Sequence, residues 1–207
     1  MSPLPASFFD RPTLGVARDL LGRHVVRDLP SGETLVGRIV ETEGYTQDDP
    51  AFHGWNLYDP ETGTVRREGR AADLFGPPGT AYVYLIYGMY WLLNVVTEPE
   101  DVGGAVLVRA IEPVDGLAHM RRLRSVESDV NLTNGPGKLT QALDVDGDQH
   151  GADLTEPPLY FAAGTPVADA AVATSSRIGL SKGVEREWRF FLNGNRFVSG
   201  GTPSAER

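Results

Sequence analysis

The chain has 207 residues, of which 41% are hydrophobic, and it carries a formal charge of −9 at pH 7. This length suits one domain with a sizeable core, and the acidic charge argues against a generic nucleic-acid binder, which is usually basic. Disulfides and thiolate metal sites are excluded because the sequence has no cysteine. Residues 1–7 have neither a basic start nor an apolar core, so we expect no signal peptide and an intracellular protein.

The first elements are a helix and two strands. Leu14, Ala17 and Leu20 recur at helical spacing, and Gly22 offers a stop. Residues 24–29 and 34–43 then read as strands joined by a turn. The second strand ends in Glu41-Thr-Glu-Gly-Tyr45, and carboxylates that end an apolar strand are either a catalytic site or a solvated strand end.

Residues 46–74 are rich in turn-forming residues and lack clear periodicity. So long an irregular segment is uncommon in a compact domain unless it shapes a site. His53 lies within it, although a lone histidine near aromatic residues is more often a structural hydrogen-bonding group. Arg66, Arg67 and Arg70 follow and either hold phosphates or are simply solvated.

Residues 79–97 predict a β-hairpin, because β-branched and aromatic residues lie on both sides of Gly88. Its tip would carry Tyr87, Met89 and Tyr90. Packing in the core explains the strands, and a membrane-spanning helix needs a longer apolar run. Neither reading explains large apolar side chains on a turn, because they expose apolar surface to water. The tip therefore indicates a function.

Residues 105–111 predict a further strand, interrupted by Arg109. Its charge needs a partner if it is buried, and Glu43 is one candidate. A helix is expected from Asp115 to about Arg124, with Leu117, Met120 and Leu123 inward and the arginines mainly outward. Asn134-Gly-Pro-Gly-Lys138 precedes a short helix and suits an anion, although it lacks the spacing of a nucleotide-binding loop.

The C-terminal part predicts a strand at 159–161, a short helix at 167–173, a strand at 188–192 and a frayed tail from about residue 200. Strands and helices are interspersed with tight turns. These features favour an α/β mixed (α+β) domain built on a largely antiparallel sheet.

Seven short motifs follow one another along the chain: Glu41-Thr-Glu-Gly-Tyr45, His53, Phe75-Gly-Pro-Pro-Gly-Thr80, Tyr82-Val-Tyr-Leu-Ile-Tyr-Gly-Met-Tyr90, Asn94, Leu107-Val-Arg109-Ala-Ile-Glu-Pro113 and Asn134-Gly-Pro-Gly-Lys-Leu139. In this order they resemble the alkyladenine (3-methyladenine) DNA glycosylase family. The resemblance implies a single domain over residues 1–207, with a curved sheet, surrounding helices and a protruding β-hairpin.

The activity that the resemblance implies is excision of damaged purines from duplex DNA in base excision repair. The lesions would include 3-methyladenine, 7-methylguanine, hypoxanthine and ethenoadenine. The reaction would hydrolyse the N-glycosidic bond without metal or cofactor. By the same resemblance, Glu43 is the general base, Arg109 helps to hold the attacking water, and the backbone carbonyl of Ile178 is a third contact. No strand cleavage is expected, because that needs an amine nucleophile and only two lysines are present.

The resemblance also assigns the groups that hold DNA. Tyr87 would be the wedge that fills the gap left by the flipped nucleotide, with Met89 and Tyr90 beside it. The flipped base would lie between Tyr45 on one side and Tyr84 with His53 on the other. Asn94 would exclude guanine by a clash with its 2-amino group, and the backbone amide of His53 would contact the purine 6-position. The remaining pocket residues would be Ala51, Leu107 and Ile178.

Arg66, Lys138 and Arg177 are expected to contact DNA phosphates. We expect them to form one positive face of the acidic protein with four other residues, namely Arg67, Arg121, Arg122 and Lys182. A monomer is the simplest expectation, with damaged double-stranded DNA as its partner and no membrane.

Two rival functions remain open from the sequence. A carbohydrate hydrolase also uses paired carboxylates and exposed aromatics, but Glu41 and Glu43 lie two apart on a strand, so they point the same way and do not straddle a substrate. A non-catalytic binding module would keep the fold without activity, and the presence of both Glu43 and Arg109 argues against it.

Overall fold

The computed structural model describes residues 1–206 as a mixed α/β fold, as predicted, with an eight-stranded sheet in which every strand pair is antiparallel. Its strands are β1 (His24–Asp28), β2 (Thr34–Thr46), β5 (Ala81–Ile86), β6 (Tyr90–Val96), β7 (Gly104–Asp115), β8 (Leu159–Ala162), β9 (Val172–Ser175) and β10 (Arg189–Leu192). Two short strands, β3 (Tyr58–Asp59) and β4 (Thr64–Val65), form a separate hairpin. The helices are α1 (Ala6–Phe9), α2 (Thr13–Asp19), α3 (Leu117–Arg124), α4 (Asp129–Thr133) and α5 (Pro136–Ala142). The strand order β5-β6-β7-β2-β1-β8 leaves the β5–β6 hairpin at one edge, and β10 pairs with β2.

Strand β2 has neighbours on both sides along most of its length. β7 pairs with it from residue 36 to residue 46, while β1 covers its first half and β10 its second. The β2–β7 register shifts three times, and two of these shifts leave Val40 and Arg109 without a partner directly opposite. Such bulges re-aim side chains next to active sites. Here they lie where the predicted catalytic residues meet.

The pleat of β2 separates a polar face from a packed face. Glu41, Glu43 and Tyr45 alternate on the first. On the second, the hydroxyl of Thr42 donates to the carbonyl oxygen of Ala17 in α2 at 2.7 Å. A Cβ at Gly44 would lie 2.7 Å from a methyl carbon of Leu14, so only glycine allows the helix to approach this closely.

Two apolar clusters lie under the hairpin strands. The larger contains Ala81 and Val83 of β5, together with the inner faces of the helices. The smaller contains Phe52, Phe75 and Tyr82, with Tyr45 and Tyr84 packed against it. The segment 46–75 therefore carries part of the core, and its side chains wall a cavity next to β2.

The hairpin tip projects from the edge of the sheet as predicted. Tyr87 is 80% exposed, Met89 63% and Tyr90 41%. The backbone N–H of Met89 donates to the carbonyl of Ile86 at 3.1 Å, and the two residues between them, Tyr87 and Gly88, have φ of 54° and 67°. Glycine adopts this left-handed conformation readily, whereas a tyrosine does so at a cost. The turn thus holds the Tyr87 ring outward.

Three of the predicted elements differ in the structure. The helix predicted at 167–173 is wrong: a short 3₁₀ turn is followed by β9, which pairs with β10. Leu123 of α3 is 39% exposed and not inward. The predicted frayed tail is wrong for the residues near Ser204, whose N–H donates to the carbonyl of Arg177 at 2.8 Å and whose hydroxyl oxygen accepts from the N–H of Leu180 at 2.9 Å. Tertiary pairing decided the first and the third case, because these segments have weak local preferences.

Within residues 1–206, no helix is long and apolar enough to cross a membrane.

Candidate active site

Glu43 lies at the centre of the candidate site, with its side chain wholly buried. Its Oε2 accepts from the hydroxyl of Tyr45 at 2.7 Å and from Nη1 of Arg109 at 3.2 Å. Its Oε1 accepts from the backbone N–H of Ile178 at 2.7 Å. Burying a carboxylate is costly unless it is paired and hydrogen-bonded. These three donors therefore hold the Glu43 side chain in a fixed orientation.

Arg109 bridges two carboxylates. Its Nε donates to Oε1 of Glu41 at 3.0 Å while its Nη1 reaches Glu43. Glu41 also accepts from Nε of Arg189 at 2.7 Å and from both the N–H and the hydroxyl of Ser199. Two buried carboxylates thus face two buried guanidinium groups, which balances the charge of the cluster.

A cavity of about 440 Å³ opens beside this cluster. Its wall includes all three residues that donate to Glu43. The other residues that line it come from the hairpin, from β7, from the end of α3, from residues 135–138 at the start of α5 and from the segment after Arg177: Tyr84, Ile86, Tyr87, Tyr90, Leu92, Leu107, Arg124, Gly135, Pro136, Gly137, Lys138, Gly179 and Leu180. Binding sites for small ligands typically measure roughly 300–1,000 Å³. The cavity is thus large enough to hold a nucleotide unit.

A smaller recess of about 110 Å³ adjoins the cavity and shares Tyr45, Tyr84 and Leu180 with it. Ala51, His53 and Asn94 line this recess. The His53 ring packs against the Tyr84 ring with centroids 4.9 Å apart. Asn94 is buried, and its side-chain amide donates to the carbonyl of Tyr82 at 3.1 Å. Five of the seven predicted pocket residues thus line the recess, whereas Leu107 and Ile178 line the larger cavity.

The comparisons with known proteins agree with this geometry. A family model described as methylpurine-DNA glycosylase matches residues 7–196. A protein of Salinibacter ruber named "Putative 3-methyladenine DNA glycosylase" is 63% identical over 205 residues, covering 99% of this chain and 100% of its own. Proteins of the same name from Chlorobium phaeovibrioides and Methanoculleus marisnigri are 42% and 43% identical, and cover 99% and 95% of this chain and 100% and 98% of their own.

The chain belongs to the methylpurine-DNA glycosylase family. It is therefore a DNA-repair enzyme, a hydrolase that acts on N-glycosidic bonds, with DNA as its substrate. This confirms the family that the motifs indicated and rules out a carbohydrate hydrolase.

Burial sets the ionisation of the aromatic residues of the glycosylase. Burial and the nearby charge of Glu43 raise the pKa of Tyr84 to about 12 and that of Tyr45 well above its usual value. Burial lowers the pKa of His53, whose Nδ1 lies 2.9 Å from the hydroxyl of Tyr82. Burial also lowers the pKa of Arg109, but the charges of Glu43 and Glu41 outweigh it and raise that pKa overall. At neutral pH the aromatic walls of the site are therefore uncharged, and Arg109 carries its positive charge.

The cations that face the cavity differ in part from those predicted. Lys138 lines it, with Nζ donating to Asn134 at 2.7 Å, and burial together with Arg124 lowers its pKa. Arg124, expected to point outward, also lines the cavity and donates to the carbonyl of Leu132 at 2.6 Å. Arg66 is exposed directly after β4 and is not among the residues that line the cavity. Besides Arg109, the cations that line the cavity are thus Lys138 and Arg124.

The prediction that Arg177 contacts phosphate is wrong, because its side chain is wholly buried in an ion pair with Asp49. Three other members of the expected positive face are also paired with carboxylates: Arg67 with Asp101, Arg121 with Asp129 and Arg122 with Glu33. Four of the seven residues expected on the positive face are therefore paired with carboxylates. Paired charges contribute little to attracting a polyanion.

Sequence reasoning missed three members of the buried cluster: Glu41 as a partner of Arg109, and the pair Arg189 and Ser199. One signal was present, since Arg189 opens an aromatic strand (Arg189-Phe-Phe-Leu192) as Arg109 interrupts an apolar one. A second buried arginine requires a second buried carboxylate. Which carboxylate it meets depends on the β2–β10 pairing, which local patterns do not reveal.

Proposed function

We propose that this glycosylase rotates damaged purines out of duplex DNA and hydrolyses their N-glycosidic bonds without cleaving the strand. The lesions would be 3-methyladenine, 7-methylguanine, hypoxanthine and ethenoadenine. The observation that carries the proposal is the position of Glu43: it is buried directly behind a cavity whose wall contains its three hydrogen-bond donors. The aromatic recess beside it supplies a place for the base.

The recess suits a flat base better than a sugar. The rings of Tyr45, Tyr84 and His53 line the recess, and the last two pack against each other. Stacking of a base on such rings contributes roughly 1–3 kcal/mol. Stacking tolerates different bases, so damaged and normal purines have to be distinguished by contacts with the edges of the base. Asn94, with its amide nitrogen tied to the Tyr82 carbonyl, would leave no room for the 2-amino group of guanine.

The chemistry follows from the fixed anion. Glu43 accepts a proton from water as the water oxygen forms a bond to C1′, and the C1′–N bond breaks with its electron pair leaving on the purine. The same carboxylate stabilises the positive charge that develops on the sugar. Arg109, anchored by Glu41, is placed to orient the water. The backbone of Ile178 is already engaged through its N–H, so a water contact there would use its carbonyl.

The hairpin tip would replace the extruded nucleotide. Unstacking a base costs a few kcal/mol, and an apolar side chain inserted in the gap offsets part of that cost. Tyr87 is the most exposed of the tip residues, with Met89 and Tyr90 beside it. Lys138 and Arg124 would hold the phosphates of the strand that enters the cavity, and Arg66 would contact the backbone farther away.

Absence of strand cleavage has its own test. A lyase forms an imine between an amine and the abasic sugar, and Lys138 is the lysine that lines the cavity. We expect no covalent adduct when the reaction mixture is treated with borohydride. A trapped adduct that disappears in Lys138→Met would refute this part of the proposal.

The main experiment measures free base released from a duplex with one hypoxanthine. The wild type should release hypoxanthine, whereas Glu43→Gln should bind the duplex and react about 1,000-fold more slowly, since a general acid or base contributes about 10²–10⁴-fold. Glu112→Gln is the matched control, because this carboxylate lies on β7 outside the cavity and pairs with Arg38. Release by Glu43→Gln at the wild-type rate would exclude Glu43 as the base. No release by the wild type from any of the four lesions would refute the proposed lesion range.

A further inference from the structure

Arg177 has an unusual environment for an arginine. Its side chain is wholly buried, Nη1 donates to the carbonyl of Gly44 at 3.0 Å and to the carboxylate of Asp49, and Nη2 donates to the carbonyl of Gly183 at 3.1 Å. The guanidinium carbon lies 4.5 Å from the centre of the Tyr45 ring and 5.2 Å from that of Trp188. Arg177 contacts neither Glu43 nor the cavity.

We propose that Arg177 is a positioning residue of the active site, which holds Tyr45, Ile178 and the loop that carries His53 in one fixed arrangement. The proposal rests on the function proposed above. It assigns to Arg177 a role that replaces the predicted phosphate contact.

The first link runs through Tyr45. Arg177 stacks on its ring and also binds the carbonyl of Gly44, which joins Tyr45 to Glu43 in the chain. A cation over an aromatic face is attracted to it, most strongly when both are desolvated. This contact fixes the plane of a wall of the base recess. It also aims the Tyr45 hydroxyl at Glu43 Oε2, 2.7 Å away.

The second link runs along the backbone. Ile178 follows Arg177 directly, and its N–H is the donor to Glu43 Oε1. Anchoring the Arg177 side chain therefore sets the position of that N–H. Two of the three donors to Glu43 thus depend on one guanidinium group.

The third link runs through Asp49. The carboxylate that pairs with Arg177 also accepts from the N–H of Ala51 at 3.1 Å, and the Asp49 carbonyl accepts from the N–H of Phe52 at 2.8 Å. This turn leads into His53, which lines the recess together with Tyr45. The Asp49–Arg177 pair consequently ties these two parts of the recess wall together.

Stability alone does not account for this arrangement. Buried ion pairs are on average no better for stability than apolar residues of similar volume. Arginine offers what an apolar residue lacks: a flat cation that stacks and at the same time binds in several fixed directions. Arg177→Lys keeps the charge but removes the flat guanidinium group and its fixed hydrogen-bond directions. It is therefore the informative substitution.

The test compares Arg177→Lys with Arg186→Lys on a duplex that carries one fluorescent ethenoadenine. Arg186 is the matched control, because it also stacks on Trp188 and pairs with the neighbouring Asp48, but contacts neither Tyr45 nor Asp49. We expect single-turnover excision by Arg177→Lys to fall about 100-fold, the usual effect of small misplacements at a reacting centre. Duplex affinity should change by only about threefold, since the hairpin tip is untouched. The fluorescence change on stacking in the recess should shrink, and Arg186→Lys should match the wild type in all three measurements.

Several results would overturn the proposal. They are excision by Arg177→Lys at the wild-type rate, an unchanged fluorescence signal, or loss of the folded circular dichroism spectrum, which would assign Arg177 to the fold as a whole. Asp49→Asn provides a second measurement, with the same direction of change expected. If the wild type and Arg186→Lys also release no base, the proposed function is what fails, whereas active controls with an active Arg177→Lys refute only the role of Arg177.

Discussion

Replacing Tyr87 with asparagine tests whether the hairpin tip acts as a wedge. Asparagine adopts the left-handed backbone conformation that Tyr87 has (φ 54°) more readily than other residues, so the turn should keep its shape. The change therefore removes the ring without disturbing the hairpin. Tyr87→Phe keeps the ring and is the matched control.

The size of the effect follows from the exposure of Tyr87. An aromatic side chain buries about 150–250 Å², and about four fifths of that area is available here because Tyr87 is 80% exposed. At about 25 cal/mol per Å² this area sets an upper limit of about 3–5 kcal/mol. Stacking of a base on an aromatic side chain contributes roughly 1–3 kcal/mol. We expect the lower range, which corresponds to a loss of about 5–150-fold in excision.

The assay is single-turnover release of hypoxanthine from a duplex and from the same strand alone. A wedge matters only where a gap is left in a stack, so Tyr87→Asn should lose activity on the duplex and little on the single strand. Equal losses on both substrates, or no loss on the duplex, would show that Tyr87 is not a wedge. So would a loss in Tyr87→Phe as large as that in Tyr87→Asn.

Two further predictions concern stability. The pKa of Tyr84 rises from 10.0 to about 12 in the folded protein, so between these pH values the folded state keeps the proton that the unfolded chain loses. The resulting stabilisation is complete below pH 10 and is lost as pH approaches 12. The free energy of unfolding, measured with urea, should therefore fall over this range, and Tyr84→Phe should reduce the fall by at most about 3 kcal/mol; the same fall in both proteins would contradict the prediction. Ser204→Ala removes the acceptor of the Leu180 N–H and should lower the free energy of unfolding by about 1 kcal/mol. It should also speed hydrogen exchange of the Leu180 amide, whereas the control Thr202→Ala, at an exposed residue, should not. Unchanged exchange at Leu180 would show that the tail does not hold this segment.

The hairpin and the strand that bears Glu43 were predictable because their signals are local. Alternating β-branched and aromatic residues around Gly88 specify two strands and a turn. Apolar periodicity likewise specifies β2 up to its acidic end. Such patterns need no knowledge of distant contacts.

The arginines were harder to predict, since their fate depends on residues far away in the chain. Arg109 lay in an apolar strand, so a buried partner could be inferred, and Glu43 is one of its two partners. Arg177 lay in a polar, glycine-containing stretch that looked exposed, and its partners Asp49, Gly44 and Gly183 meet it only after folding. A charge beside a turn gives no local sign of burial.

The β9 segment shows the same limit for secondary structure. Its alanine-rich sequence favours a helix weakly. Pairing with β10 satisfies its backbone instead, and this pairing is worth more than the propensity. Propensity is thus a poor guide where an open sheet edge is near.

The central position of β2 limits how the enzyme adapts to different lesions. Because Glu43 belongs to a strand with partners on both sides, no loop movement can carry its carboxylate toward a poorly placed sugar. The nucleic acid has to supply the motion. On the proposed mechanism, damage that loosens a base pair makes that motion easier, so the duplex makes part of the choice among lesions before any protein side chain touches the base.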